Sequence, residues 1–268
     1  KDFARHFGVS SVQLVEKKIV PVEHHRAHLA SSFFVSPFDE AALFSVDGFG
    51  DFSSCMFANG EGCDINVMDC IFYPHSLGIF YTAITQFLGF LRYGDEYKVM
   101  GLAPYGEPRY LKEMQKVVNL KPDGKFVLNL DFFQHHTGGS RMSWKDCAPE
   151  MGILYSAKLK DLLGSPRGEE ELTQRHKDIA ASLQVMYEQA LFHMLNYLHQ
   201  KTRRKALCLS GGCAMNSVAN GKIFKHTPFE EVYVQPAAGD GGGSLGAAYY
   251  YWNVILKRER NFQMRHAY

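Results

Sequence analysis

Three apolar runs in this chain each break into a glycine-bearing turn: "ALFSVDGFGD" at 42–51, "ALCLSGGCAMNS" at 206–217 and "VYVQPAAGDGGGSLG" at 232–246. A strand that ends in bare backbone and feeds a helix places ligand groups at its carboxyl end, where helix N-termini favour anions. The last third alternates in this way, with strands over 205–210 and 231–236 and helices from 213 and over 244–257. The first part differs. Strands at 41–48, 52–60 and 64–73 are separated by short glycine turns, the pattern of an antiparallel meander. They lead into an amphipathic helix at 76–91 with Ser76 as N-cap. Upstream, 1–20 reads as a short helix and a strand, and 24–35 as a helix that stops at "SPFDE". The stretch 92–170 reads as an insertion, with a helix near 107–118 and a hairpin in "PDGKFVLNL". A long helix follows at 172–200, carrying Ile179, Leu183, Met186, Leu191, Met194 and Leu198 near one face. The summed order, βββα, insertion, αβαβα, predicts an α/β fold with a mixed sheet flanked by helices.

Composition narrows the partners. The chain has 268 residues, 46% hydrophobic and 13% aromatic, with a net charge of +1. It can bury a core, and it offers no general electrostatic reason to bind nucleic acid or an anionic membrane. The basic run "KTRRK" fits the end of a helix, where cations complement the macrodipole. The longest apolar stretch, "LGAAYYYW", is too short to span a bilayer. Six cysteines (55, 63, 70, 147, 208 and 213) form no C-x-x-C, which points to reduced thiols in a cytoplasmic protein. The chain opens on "KDFARHFGVS" without an initiator Met, as an excised fragment would.

Chemistry concentrates in four places. In "VDGFGDFSS", Asp47, Gly48, Gly50 and Asp51 could form an anion nest or hold a cation, or simply a hairpin turn. In "LCLSGGCAMNS", Gly211 and Gly212 let a ribose or base lie against backbone. Ser210 lacks the G-x-S-x-G context of a nucleophile, and Cys213 reads as a buried thiol. In "QPAAGDGGGSLGAA", Gly241, Gly243 and Gly246 match G-x-G-x-x-G. No second strand ending in an acid follows, so Asp240 on a glycine loop suits phosphate plus a cation better than a dinucleotide. Finally, "VEHHRAHLASS" carries His24 and His28 four apart. About half such a pair is expected by chance in this composition, so the spacing alone leaves both a metal pair and two surface histidines open. With a distant carboxylate it would make a two-His-one-carboxylate set. His176, His193 and His199 on the long helix read as surface or packing residues.

Taken together, "HHRAH", "DGFGD", "KVMGLAPYG", "LSGGCAMNS" and "QPAAGDGGGSLGAAYY", in that order, resemble the NodU/CmcH-type O-carbamoyltransferases over nearly the whole chain. The resemblance implies an actin/Hsp70-like (ASKHA) catalytic domain built of RNase H-like lobes. Residues 1–40 would close lobe I with the metal-binding helix. Residues 41–257 would form lobe II around the insertion, and 258–268 a C-terminal tail.

It implies that His24, His28 and Asp240 bind a divalent metal of the Fe(II) type and act in catalysis. ATP or carbamoyl-adenylate would be bound by Asp47, Gly48, Gly50, Asp51, Lys98, Gly211, Gly212, Asn216, Gly239 and Gly241. The reaction would pass a carbamoyl group from carbamoyl-adenylate to a hydroxyl of a small sugar-like or antibiotic acceptor. Carbamoyl phosphate and ATP would be used through a YrdC-like domain of the parent chain. Self-association as a homodimer is left open. The family's opening His-Asp-Ser-type loop and its YrdC-like domain have no counterpart in these residues, so this chain by itself is expected to be catalytically crippled. Two rivals stand beside this reading: tRNA threonylcarbamoyl or hydrogenase-maturation carbamoyl transfer, and a non-catalytic nucleotide-binding module of the same fold.

Overall fold

The computed structural model describes residues 5, 6, 8, 16, 18–138, 142–145 and 148–267. The helix and strand expected within 1–20 lie almost wholly outside these residues, as does Cys147. Five strands form the central sheet: β1 (Glu40–Gly50), β2 (Ser53–Glu61), β3 (Asp64–Phe72), β4 (Ala206–Ser210) and β5 (Glu231–Val234). Their spatial order is β3-β2-β1-β4-β5. The meander β1–β2–β3 is antiparallel, as expected, while β4 runs parallel to β1 and β5 parallel to β4. The sheet is therefore mixed.

Side-chain alternation along the strands explains the layering. Ala41 and Leu43 of β1, Met56 and Ala58 of β2, and Cys208 of β4 face one side. There they pack on Leu29 and Phe33 of α1 (His24–Phe33). Ala42, Phe44, Val46, Phe57, Leu207 and Leu209 face the other side. They meet Phe80 and Ile84 of α2 (Leu77–Phe87) and Leu183 and Tyr187 of the long α4 (Gln174–Thr202). β1 is buried on both faces from Ala41 to Val46, as a central strand must be.

The helix ends follow local chemistry. Ser76 caps α2 by accepting from Ile79 N. That helix stops at Phe87, before Gly89 at φ +80°, and so falls short of the expected 91. Thr173 and His176 form a capping box at the start of α4. The insertion contains α3 (Glu96–Leu102), a helix at Leu111–Val117, which is shorter than expected, and the expected hairpin, Val118–Leu120 with Phe126–Leu128. The final helix, α5 (Gly243–Tyr249), widens into a π-helix at Tyr250–Ile255. α5 crosses α1 so closely that a Cβ on Gly246 would lie 1.8 Å from Ala27 O. Among the described residues no helix is long and apolar enough to cross a membrane.

Candidate metal centre

The parallel strands deliver three loops to one end of the sheet: the end of β1 (Asp47–Gly50), Gly211–Gly212 after β4, and Gly239–Gly241 after β5. The N-terminus of α1 arrives at the same end. Glu23 caps that helix through His25 N and Arg26 N. Asp51 accepts from His24 N at 2.9 Å, so its carboxylate anchors the helix to the β1–β2 turn.

Of the three histidines in "HHRAH", His25 is a strut. Its Nε2 donates to Ser53 O at 3.0 Å, and its Nδ1 meets Ser45 Oγ at 2.8 Å. Burial pushes its pKa down to about 4. His24 and His28 sit one turn apart and converge. Their Nε2 atoms lie 3.0 Å from each other, and 3.2 and 2.9 Å from Asp47 Oδ2. Asp240 Oδ1 is 3.5 Å from His24 Nε2 and 3.6 Å from His28 Nε2. All four ligand atoms lie within 4.8 Å of one another.

The donor set fits one divalent ion. Bonds of about 2.1 Å at right or tetrahedral angles place ligand atoms roughly 3.0–3.4 Å apart. Without an ion, two imidazole nitrogens 3.0 Å apart compete for a single carboxylate oxygen. His28 is 1% exposed. The electrostatics reinforce the fit. Burial opposes ionisation of Asp47, yet hydrogen bonds from His24 and His28, with the Gly48 N–H, hold the carboxyl well below the ordinary range. The hydrogen bond to Asp47 raises the His24 pKa against its burial.

Asp47 also lines a cleft of about 430 Å³, together with Gly48, Gly212, Cys213, Asn216 and residues of α2 and α3. Bare backbone shapes this corner. A Cβ on Gly212 would sit 2.8 Å from Asp47 Oδ1, and one on Gly50 would sit 2.0 Å from the His24 ring. Gly211, at φ +92°, backs onto Val46. Asn216 stands in the cleft wall with both ends of its amide engaged: Oδ1 accepts from Gln184 and Ala219 N, and Nδ2 donates to Gln184. Gly239 packs near Met215, and Gly241 has open space around it. Lys98 is not in the cleft lining; it pairs with Asp95 at 2.6 Å.

Cys213 is a thiol that burial pushes well up, as expected of a structural cysteine. His176, His193 and His199 are packing groups. They cap α4, bond Lys121 O, and stack edge-on against Phe229, respectively. Sequence reasoning placed Asp47 in a phosphate loop and missed it as a partner of both imidazoles. Its position at the end of a fully buried strand was the available signal.

Residues 5–249 match the family described as carbamoyltransferase N-terminus. The chain belongs to that family. Among its relatives, "Uncharacterized protein sll1178" of Synechocystis sp. is 42% identical over 241 residues, covering 89% of this chain and 37% of that protein. "Nodulation protein NolO" of Bradyrhizobium diazoefficiens is 37% identical over 227 residues, covering 85% and 37%. "Nodulation protein NolNO" of Sinorhizobium fredii is 35% identical over 245 residues, covering 91% and 32%. This carbamoyltransferase N-terminus therefore spans about a third of the length of these relatives.

Proposed function

We propose that the chain is the group-transfer domain of an ATP- and carbamoyl phosphate-dependent O-carbamoyltransferase. A hydroxyl oxygen of a small acceptor attacks the carbamoyl carbon of carbamoyl-adenylate. The new C–O bond forms as the bond to the phosphate oxygen breaks, AMP departs, and the hydroxyl proton passes to a base. The observation that carries this reading is the convergence of His24, His28, Asp47 and Asp240 at one corner of the cleft, in a chain of the carbamoyltransferase family. The sheet order β3-β2-β1-β4-β5, antiparallel then parallel, supports an RNase H-like lobe of the ASKHA type.

His24 and His28 through Nε2, with Asp47 and Asp240 through carboxylate oxygens, would hold a divalent ion, Fe(II) by family resemblance. Such an ion supplies a Lewis acid and an anchor for a phosphate oxygen. The chain's own residues do the rest. Gly48 and Gly212 keep the cleft corner free of side chains, Asp51 and Glu23 fix the imidazole-bearing helix, and the tyrosine and methionine walls exclude water from the adenylate. The gain is mainly positional. A YrdC-like domain of a longer protein would provide the adenylate.

The test is adenine-nucleotide binding by titration calorimetry with and without Fe(II), repeated for His24→Ala, His28→Ala and Asp240→Ala. The expected result is that metal tightens ATP binding and each substitution removes the gain. ATP binding that ignores both metal and histidines would defeat the metal-anchored reading.

A further inference from the structure

Several polar groups on the inner wall of the cleft are already engaged. Tyr81 OH donates to Gln184 Oε1 at 2.9 Å, and Tyr187 OH donates to Cys213 O at 2.8 Å. Asn216 is tied to Gln184 and Ala219 N. The end of this network is pinned as well. Gln184 Nε2 donates to Glu188, whose carboxylate accepts from Lys222 at 2.6 and 2.8 Å. Asp47 is engaged by the two histidines. One acidic side chain in the lining keeps an oxygen in reserve. Glu96, in the first turn of α3, accepts from Thr82 Oγ1 at 2.6 Å through Oε1, and among the described residues nothing bonds its Oε2.

A carboxylate can only accept hydrogen bonds. In a cleft walled by Tyr81, Tyr93, Tyr97, Met100 and Met215, Oε2 therefore asks for a ligand with hydrogen-bond donors, and it repels phosphate. The opposite preference is built at the Asp47 corner, where a bound cation would attract phosphate. A molecule filling the cleft is thus oriented, with its anionic end at the histidines and its hydroxyl-bearing part at Glu96.

We propose that Glu96 is a specificity-determining residue that accepts hydrogen bonds from the ribose hydroxyls of the nucleotide, with Thr82 as its positioning residue. This rests on the nucleotide reading of the cleft. Thr82 holds one oxygen so that the other faces the ligand. A bidentate hold on the ribose would also keep the adenylate from sliding along the apolar walls while its far end reacts.

The experiment compares ATP with 2′,3′-dideoxy-ATP by titration calorimetry, using the 268-residue chain with metal present. Wild type is expected to prefer ATP by roughly tenfold or more, the size of a hydrogen bond to a charged group. Glu96→Gln should bring ATP affinity down towards the dideoxy value while leaving dideoxy-ATP binding as in wild type, which also shows that the cleft is intact. Thr82→Val should lose part of the preference and Thr82→Ser keep it. Equal affinity of wild type for both nucleotides, or a preference that survives Glu96→Gln, overturns the assignment while leaving the nucleotide site standing. Failure of wild type to bind either nucleotide overturns the nucleotide reading and this assignment with it.

Discussion

Asp47 Oδ2 stands 2.9 Å from His28 Nε2 and 3.2 Å from His24 Nε2, so one oxygen at the end of a buried strand answers two imidazoles on a helix. The helix alone would leave its rings free to rotate, and the strand alone would offer a lone carboxylate. Their meeting makes a preorganised corner.

Metal affinity should rank the four groups by how firmly each is held. His28 is buried and Asp47 is nearly so, whereas the Asp240 side chain is 71% exposed. His28→Ala and Asp47→Ala are expected to lower Co(II) affinity by more than the roughly 10–100-fold that loss of an outer-shell partner costs, and Asp240→Ala by less than either. The Co(II) absorption spectrum on titration provides the measurement. A larger loss for Asp240→Ala than for His28→Ala would contradict the ranking.

Gly50→Ala tests the site without touching a ligand. The new methyl would lie 2.0 Å from His24 Cδ2, and the ring has to turn away. The expectation is weakened metal binding with unfolding in urea changed by less than about 1 kcal/mol, since the displaced ring is partly exposed.

Ser76 links the cap of α2 to the Asp47 loop, because its hydroxyl donates to Asp47 O at 3.1 Å and accepts from Ile79 N. Ser76→Ala should cost about 1 kcal/mol as a lost cap and should also weaken metal binding. Retention of full metal affinity would show that the loop holds itself.

Acid should destabilise the chain through His135, whose pKa burial pushes below the ordinary 6.5 despite its bond to Pro74 O. Above pH 6.5 the imidazole is neutral whether folded or unfolded, and stability is full. As pH falls through 6.5 the unfolded state takes up the proton first, and stability is lost until the lower folded pKa is passed. Urea unfolding at pH 8, 6 and 5 should show this fall, and His135→Gln should flatten it. A pH profile unchanged by the substitution would remove His135 from the account.

Much of this was legible in the residues. Period-two apolar runs with glycine turns gave the meander and the two later strands within a few residues, because each strand packs apolar side chains against the core. His24, His28 and Asp240 were legible as a set through the family resemblance. What escaped depends on direction rather than composition. "DGFGD" holds two aspartates four apart, and only the turn at Asp51 and Phe52, both at positive φ, decides that one faces the histidines and the other the helix backbone. The widening of α5 into a π-helix leaves no mark in an apolar run.

The crossing at Gly246 and Ala27 joins segments more than two hundred residues apart, and it lies beside the ligands that those segments carry. During synthesis His24 and His28 emerge more than two hundred residues before Asp240. A cation held by all four groups would therefore be captured only after the segments around residues 24–47 and 240 have packed together, and its capture would report that long-range packing.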